Sequence, residues 1–105
     1  MKVLIVEPNR KPKVAEIENS LAAKQNVVGG FIEMVIPPIH PDDACIICNE
    51  EGKFYCKPNR PIRLEDGTVF DIVFGTFFVC RAPEDSEDFE SLTEEQIAFY
   101  SQLYA

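Results

Sequence analysis

Short apolar segments, each of strand length, alternate with polar and proline-rich turns along most of this chain. Lys2–Val6 (KVLIV) is apolar on both faces and predicts a central strand. A turn rich in proline and charge follows at Glu7–Pro12. Val14–Glu18 then alternates, with Ala15 and Ile17 on one face, so the two segments predict an N-terminal hairpin. Asn19 or Ser20 caps a short helix reaching Val27 or Val28, and Gly29-Gly30 supplies its left-handed stop. Leu21, Lys24, Gln25 and Val28 share one side of that helix. Phe31–Ile36 reads as a strand with Ile32, Met34 and Ile36 toward the core.

The loop Pro37–Asp43 contains three prolines and the sole histidine, His40, a setting that predicts an exposed and idle ring. Ala44–Cys48 and Lys53–Cys56, joined by Asn49-Glu50-Glu51-Gly52, predict a second hairpin. Lys57–Pro61 reads as irregular, because two prolines flank Asn59-Arg60. Asp66-Gly67 is a pair favoured in tight turns. From Phe70 to Cys80 the even positions read Phe, Ile, Phe, Thr, Phe, Cys, which predicts one long buried strand, or two broken at Gly75. Thr93 and Gln96 form a capping box, with Leu92 and Ile97 at the positions of a hydrophobic staple. A helix follows from Glu94 to Leu103, packing through Ile97, Tyr100, Leu103 and Tyr104. The whole predicts a single α+β domain over residues 1–105: a mixed or antiparallel sheet of five or six strands, one short helix and one C-terminal helix.

Composition supports that reading. A length of 105 residues fits one domain, and 46% apolar residues with eight phenylalanines supply a core. The longest apolar runs, Ile72–Phe74 and Phe77–Cys80, fall far short of a membrane span. Residues 1–20 carry Glu7, Glu16 and Glu18 and resemble no leader peptide, so the expected location is the cytoplasm. Thiols there are reduced. Cys45 and Cys48 form C-I-I-C, half of a zinc motif on paper, but strand positions three apart point to opposite faces. The expectation is buried structural thiols and no metal or cofactor, with a thiol or metal protein built on Cys45 and Cys48 as an alternative.

The net charge of −8 is concentrated late in the chain, where residues 81–105 set seven acids against Arg81. No basic stripe is present to neutralise phosphates, which argues against direct nucleic-acid binding. The cluster Glu84-Asp85-Ser86-Glu87-Asp88 reads first as a solvated loop and second as part of an acidic DNA mimic that inhibits a DNA-binding enzyme.

No convergent catalytic set is spelled out. His40 has no cysteine or serine near it in sequence, Thr76 after Gly75 carries no mark of activation, and Gly29-Gly30 lacks a phosphate loop's lysine and spacing. Glu50 and Glu51 are adjacent carboxylates in a turn, more often solvated than catalytic. Binding is the better expectation. Asn49 and Asn59 bring amides that donate and accept, and Arg60 and Arg63 bring planar charged forks. If the two polar turns meet, Asn49, Glu50, Glu51, Asn59, Arg60, Arg63 and Thr76 form a pocket for a small polar ligand or a host protein. In the blander reading, the asparagines stabilise turns and Arg60 pairs with Glu50, Glu51 or Asp71. Sequence leaves the oligomeric state open.

MKVLIVEP, the Gly29-Gly30 pair, CNEEGK, PNR and DIVFGTFF occur here in an order that resembles an uncharacterised family of roughly hundred-residue bacterial proteins. That family is a domain of unknown function also carried by phages, plasmids and conjugative elements. The resemblance covers nearly the whole chain, departing at Cys56–Pro61, where a more apolar approach to P-N-R is expected. It implies a small cytoplasmic accessory protein of mobile-element origin, without an established activity.

Overall fold

A computed structural model describes residues 1–105. Its seven strands fall into two sheets, with three helices. The strands are β1 (Lys2–Val6), β2 (Lys13–Glu16), β3 (Ile32–Val35), β4 (Ala44–Asn49), β5 (Pro58–Arg63), β6 (Val69–Phe74) and β7 (Phe77–Arg81). The helices are α1 (Leu21–Val28), α2 (Gly52–Tyr55) and α3 (Glu94–Leu103). The larger sheet runs β2-β1-β7-β4-β3 with every pair antiparallel. β5 and β6 form a separate antiparallel ribbon.

The three central strands explain the layering. Leu4, Val6, Ala44, Ile46, Phe77 and Val79 point to one side of the sheet, where they meet Ile62, Val73, Leu92, Tyr100 and Tyr104. Val3, Cys45, Ile47, Phe78 and Cys80 point to the other, where Val28 of α1 covers them. With apolar side chains on both faces, β1, β4 and β7 require a cover on each side. One cover is α1. The ribbon and α3 provide the other.

The N-terminal hairpin and both long helices lie where the patterning puts them. Ser20 caps α1 by accepting from the Ala23 amide, and Gly29 ends it at φ 79°. Within α1, Lys24 and Val28 are buried while Leu21 faces solvent. Lys24 is accommodated because its ammonium donates to Asn19 Oδ1 at 2.7 Å and lies over the Phe89 ring. In α3, Thr93 Oγ1 accepts from the Gln96 amide and Gln96 Oε1 from the Thr93 amide, closing the capping box. Leu92 and Ile97 both join the core beneath it.

Several expectations are corrected. Met34 and Ile36 are exposed, because β3 is the sheet's edge and no element covers that face beyond Ile32. Lys53–Cys56 forms no strand: Gly52–Tyr55 is a single helical turn, its Gly52 packed against the Phe74 backbone. The Lys57–Pro61 stretch is largely strand β5, with a bulge between Pro58 and Arg60 that accommodates the prolines in a ribbon edge. Phe70 and Ile72 are exposed, so the alternation over 70–80 marks two strands in different sheets. The break is at Gly75, φ 81°, where a Cβ would fall 2.9 Å from Cys56 Sγ. Positive φ and that close approach both call for glycine.

His40 is the remaining correction. Its ring is buried rather than exposed. Nδ1 lies 3.0 Å from the Ala44 carbonyl, which can only accept, so Nδ1 carries the proton. Nε2 then accepts from the Tyr104 hydroxyl at 2.8 Å. Beside it, Tyr100 donates to Asp42 Oδ1 at 2.7 Å. The prolyl loop is thereby fastened to α3.

Candidate functional site

Asn59 and Arg60, the centre of one polar turn, join four segments of the chain. Asn59 Nδ2 donates to the carbonyls of Val6 and Gly75, both at 2.8 Å. Its Oδ1 accepts from Arg60 Nη1 at 2.7 Å. Arg60 Nε donates to the Tyr104 carbonyl at 2.9 Å, and Nη2 to the Arg10 carbonyl. The end of β1, the β1–β2 turn, the Gly75 break and the end of α3 are thus held at one point. Arg60 pairs with none of Glu50, Glu51 or Asp71. Lys53 takes Asp71 instead, at 3.1 Å.

Asn49 has a similar local duty. Its amide donates to the Val28 carbonyl at 3.2 Å, and its Oδ1 accepts from the Glu51 amide at 2.8 Å. A Cβ at Gly30 would lie 2.9 Å from Asn49 Nδ2, so the second glycine of the pair clears room for this side chain. Glu50 and Glu51 form no ion pair, and Glu51 begins α2 without capping it through its side chain. Arg63 donates to the Gly67 carbonyl at 3.0 Å and braces the β5–β6 turn. Thr76 sits half-buried between β6 and β7.

The two polar turns open on different clefts. Arg60 and Arg63 line one of about 240 Å³ between β5 and the end of α3. Asn49 and Glu50 line another of about 200 Å³, bounded by β3, the end of β4, α2 and β6. Ile62 contributes to both walls and stands between them. Glu51 and Thr76 line neither.

The second cleft has the more varied chemistry. Glu33, Glu50 and the Lys53–Asp71 pair border it, and Val35, Phe54, Ile72 and Phe74 supply apolar wall. Phe54, part of its lining, is 82% exposed, and the next residue, Tyr55, is 80% exposed, the two rings 6.4 Å apart. Phe70, farther along β6, is 52% exposed. Neither Phe54 nor Tyr55 was singled out from sequence. The available signal was two adjacent aromatics directly after a polar Glu-Glu-Gly turn.

Three of the four thiols divide between the two faces of the large sheet. Cys45 and Cys48 lie on opposite sides of β4, as strand spacing requires. Cys45 stands beside Cys80 across the β4–β7 pair, the sulfurs 3.8 Å apart. Cys48 lines the second cleft and its thiol donates to the Glu33 carbonyl. Burial pushes the Cys48 thiol up to about 11, and nearby Glu33 acts in the same direction. In the acidic stretch Glu84–Asp88 a turn closes through the Ser86 amide on the Pro83 carbonyl, and the Ser86 hydroxyl bonds the Asp88 backbone.

These features define a three-layered α+β domain with an open cleft of mixed polarity at one edge of an antiparallel sheet. The chain belongs to the DUF3846 family, a domain of unknown function, which it matches over residues 1–105. No curated protein and no solved structure matches the chain.

Proposed function

We propose that this protein is a non-enzymatic, cytoplasmic binding module of mobile-element origin that docks a host protein at the cleft between β3, α2 and β6. The observation that carries the reading is the exposure of Phe54 and Tyr55 on a helical turn that is itself anchored by Gly52. Aromatic anchors beside a polar rim are the side chains in which protein interfaces concentrate their binding energy. Phe70 and Ile72 extend the same apolar surface along β6.

A small polar ligand is the weaker reading. The amides of Asn59 and Asn49 and most of the Arg60 fork are committed to carbonyls of the chain itself. A cleft of about 200 Å³ is also small beside the ~300 Å³ and upward of ordinary ligand pockets. The motif resemblance supplies the mobile-element setting, in which a small accessory protein that occupies a host protein has an evident use.

The test compares the wild type with Phe54→Ser/Tyr55→Ser, whose exposed positions leave the fold intact. Each is expressed tagged in the bacterium that encodes it, and co-purifying proteins are quantified by mass spectrometry. The expected result is one partner depleted roughly tenfold or more in the variant, since hot-spot losses reach that size. A partner retained equally by both proteins, or a small molecule retained in native mass spectra of both, overturns the reading.

A further inference from the structure

The large sheet ends in two free edges of very different character. At one end, β2 presents Lys13 and Glu16, follows Pro12, and has Lys13 paired with Glu7 at 2.8 Å. Charges and proline are the usual protection of an edge against further strand pairing. At the other end β3 has the sequence IEMV, flanked by Phe31 and Ile36, with Glu33 as its one charge. Phe31 is 64% and Met34 48% exposed. Pro37 and Pro38 follow this edge after Ile36, but β3 itself holds no proline and a single charge.

The β3–β4 register shows which backbone groups are free. Ile32 pairs with Asn49 and Met34 with Ile47, and the Glu50 amide bonds the Phe31 carbonyl at 2.8 Å. Antiparallel pairs alternate between hydrogen-bonded and non-bonded, so Phe31, Glu33 and Val35 direct their N–H and C=O groups to β4. Ile32 and Met34 direct theirs outward, away from the sheet. Side chains alternate as well: Glu33 and Val35 line the cleft beside α2 and β6, while Ile32 and Met34 face the α1 side.

Charge selects the occupant. Glu33 and Glu50 border the cleft, and its lysine, Lys53, is already paired with Asp71. A second copy pairing antiparallel through so short a strand would bring the two Glu33 carboxylates close together, at an energetic cost. A strand with lysine or arginine on the cleft face and apolar residues on the Met34 face would satisfy both sides. Building on the docking reading above, we propose that β3 receives an extended segment of the partner protein, alternating basic and apolar residues, as a sixth strand of the large sheet. Backbone hydrogen bonds to Ile32 and Met34 supply attachment, and the side-chain alternation supplies selection.

The experiment uses a fluorescent, end-capped peptide of alternating lysine and valine, followed by anisotropy against the full chain. The key variant is Met34→Pro, which removes an N–H that no internal bond uses and so is tolerated at this edge; circular dichroism checks its fold. Binding should weaken roughly tenfold in Met34→Pro and in Glu33→Lys, and be lost when alternate peptide amides are N-methylated. Equal binding by Met34→Pro, no binding by the wild type, or tight binding of a glutamate–valine peptide overturns the proposal. So does a dimer in sedimentation that Met34→Pro dissolves. If the cellular partner is lost from Phe54→Ser/Tyr55→Ser but kept by Met34→Pro, docking stands and strand addition fails. If both variants keep it, the docking reading fails as well.

Discussion

Replacing Asn59 by alanine tests whether this residue is structural rather than ligand-binding. Its amide makes two donor bonds of 2.8 Å to the Val6 and Gly75 carbonyls and accepts one of 2.7 Å from Arg60. A neutral hydrogen bond contributes about 0.5–1.5 kcal/mol net and one to a charged group about 1.5–3. Since the site is only partly buried, water recovers some of this, and a loss of about 3 kcal/mol is expected for Asn59→Ala. That is a large share of the roughly 5–15 kcal/mol that holds a domain of this size together. Urea denaturation followed by circular dichroism would show the loss as a lower midpoint at unchanged slope. The melting temperature should fall by about 4–8 °C for each kcal/mol. Asn59→Asp keeps the acceptor toward Arg60 but sets a carboxylate oxygen against two carbonyls, so at neutral pH it should be no more stable than the alanine variant. A loss below about 0.5 kcal/mol for Asn59→Ala, the range of ordinary surface substitutions, would refute the reasoning and return Asn59 to the candidate binding residues.

Two further outcomes follow from the buried groups. Burial holds the His40 pKa below its usual value, with the Ala44 carbonyl and Asp42 acting in the opposite direction. The unfolded chain therefore binds the extra proton first, so stability should fall as pH drops below about 6.5, with a slope of at most ~1.4 kcal/mol per pH unit for one proton. Urea midpoints measured between neutral and mildly acid pH should show this slope in the wild type and lose it in His40→Phe; an unchanged slope would assign it to other groups. Among the thiols, Cys45, Cys48 and Cys80 are buried and Cys56 is only half-buried. Native alkylation followed by peptide mass spectrometry should therefore label Cys56 alone, with the other three reacting only after denaturation. Early labelling of Cys48 would contradict its burial and raised pKa.

Local chemistry determined the parts of this protein that depend on neighbours in sequence. The capping box at Thr93–Gln96, the glycine stop at Gly29 and the turn at Gly67 are each complete within a few residues and were legible as such, and the cap of α1 was narrowed to Asn19 or Ser20. Period-2 alternation and runs apolar on both faces were enough to mark β1, β4 and β7 as strands and to set the α+β class. They also separated Cys45 from Cys48, because the geometry of a strand allows nothing else.

Tertiary structure decided everything that depends on which element covers which. Met34 and Ile36 have the same pattern as core residues, and only the position of β3 at the end of the sheet exposes them. Phe70 and Ile72 read as core for the same reason, and a backbone turn at Gly75 sends their strand into a different sheet. His40 is buried by α3, an element more than fifty residues away, whose tyrosine supplies the partner for Nε2. For Asn59 and Arg60 the sequence offered a structural reading beside the binding one but not their partners, since the carbonyls of Val6, Arg10, Gly75 and Tyr104 converge only in the folded chain. Polarity along a chain reports how each residue prefers water. Whether that preference is met is settled by contacts between segments distant in sequence.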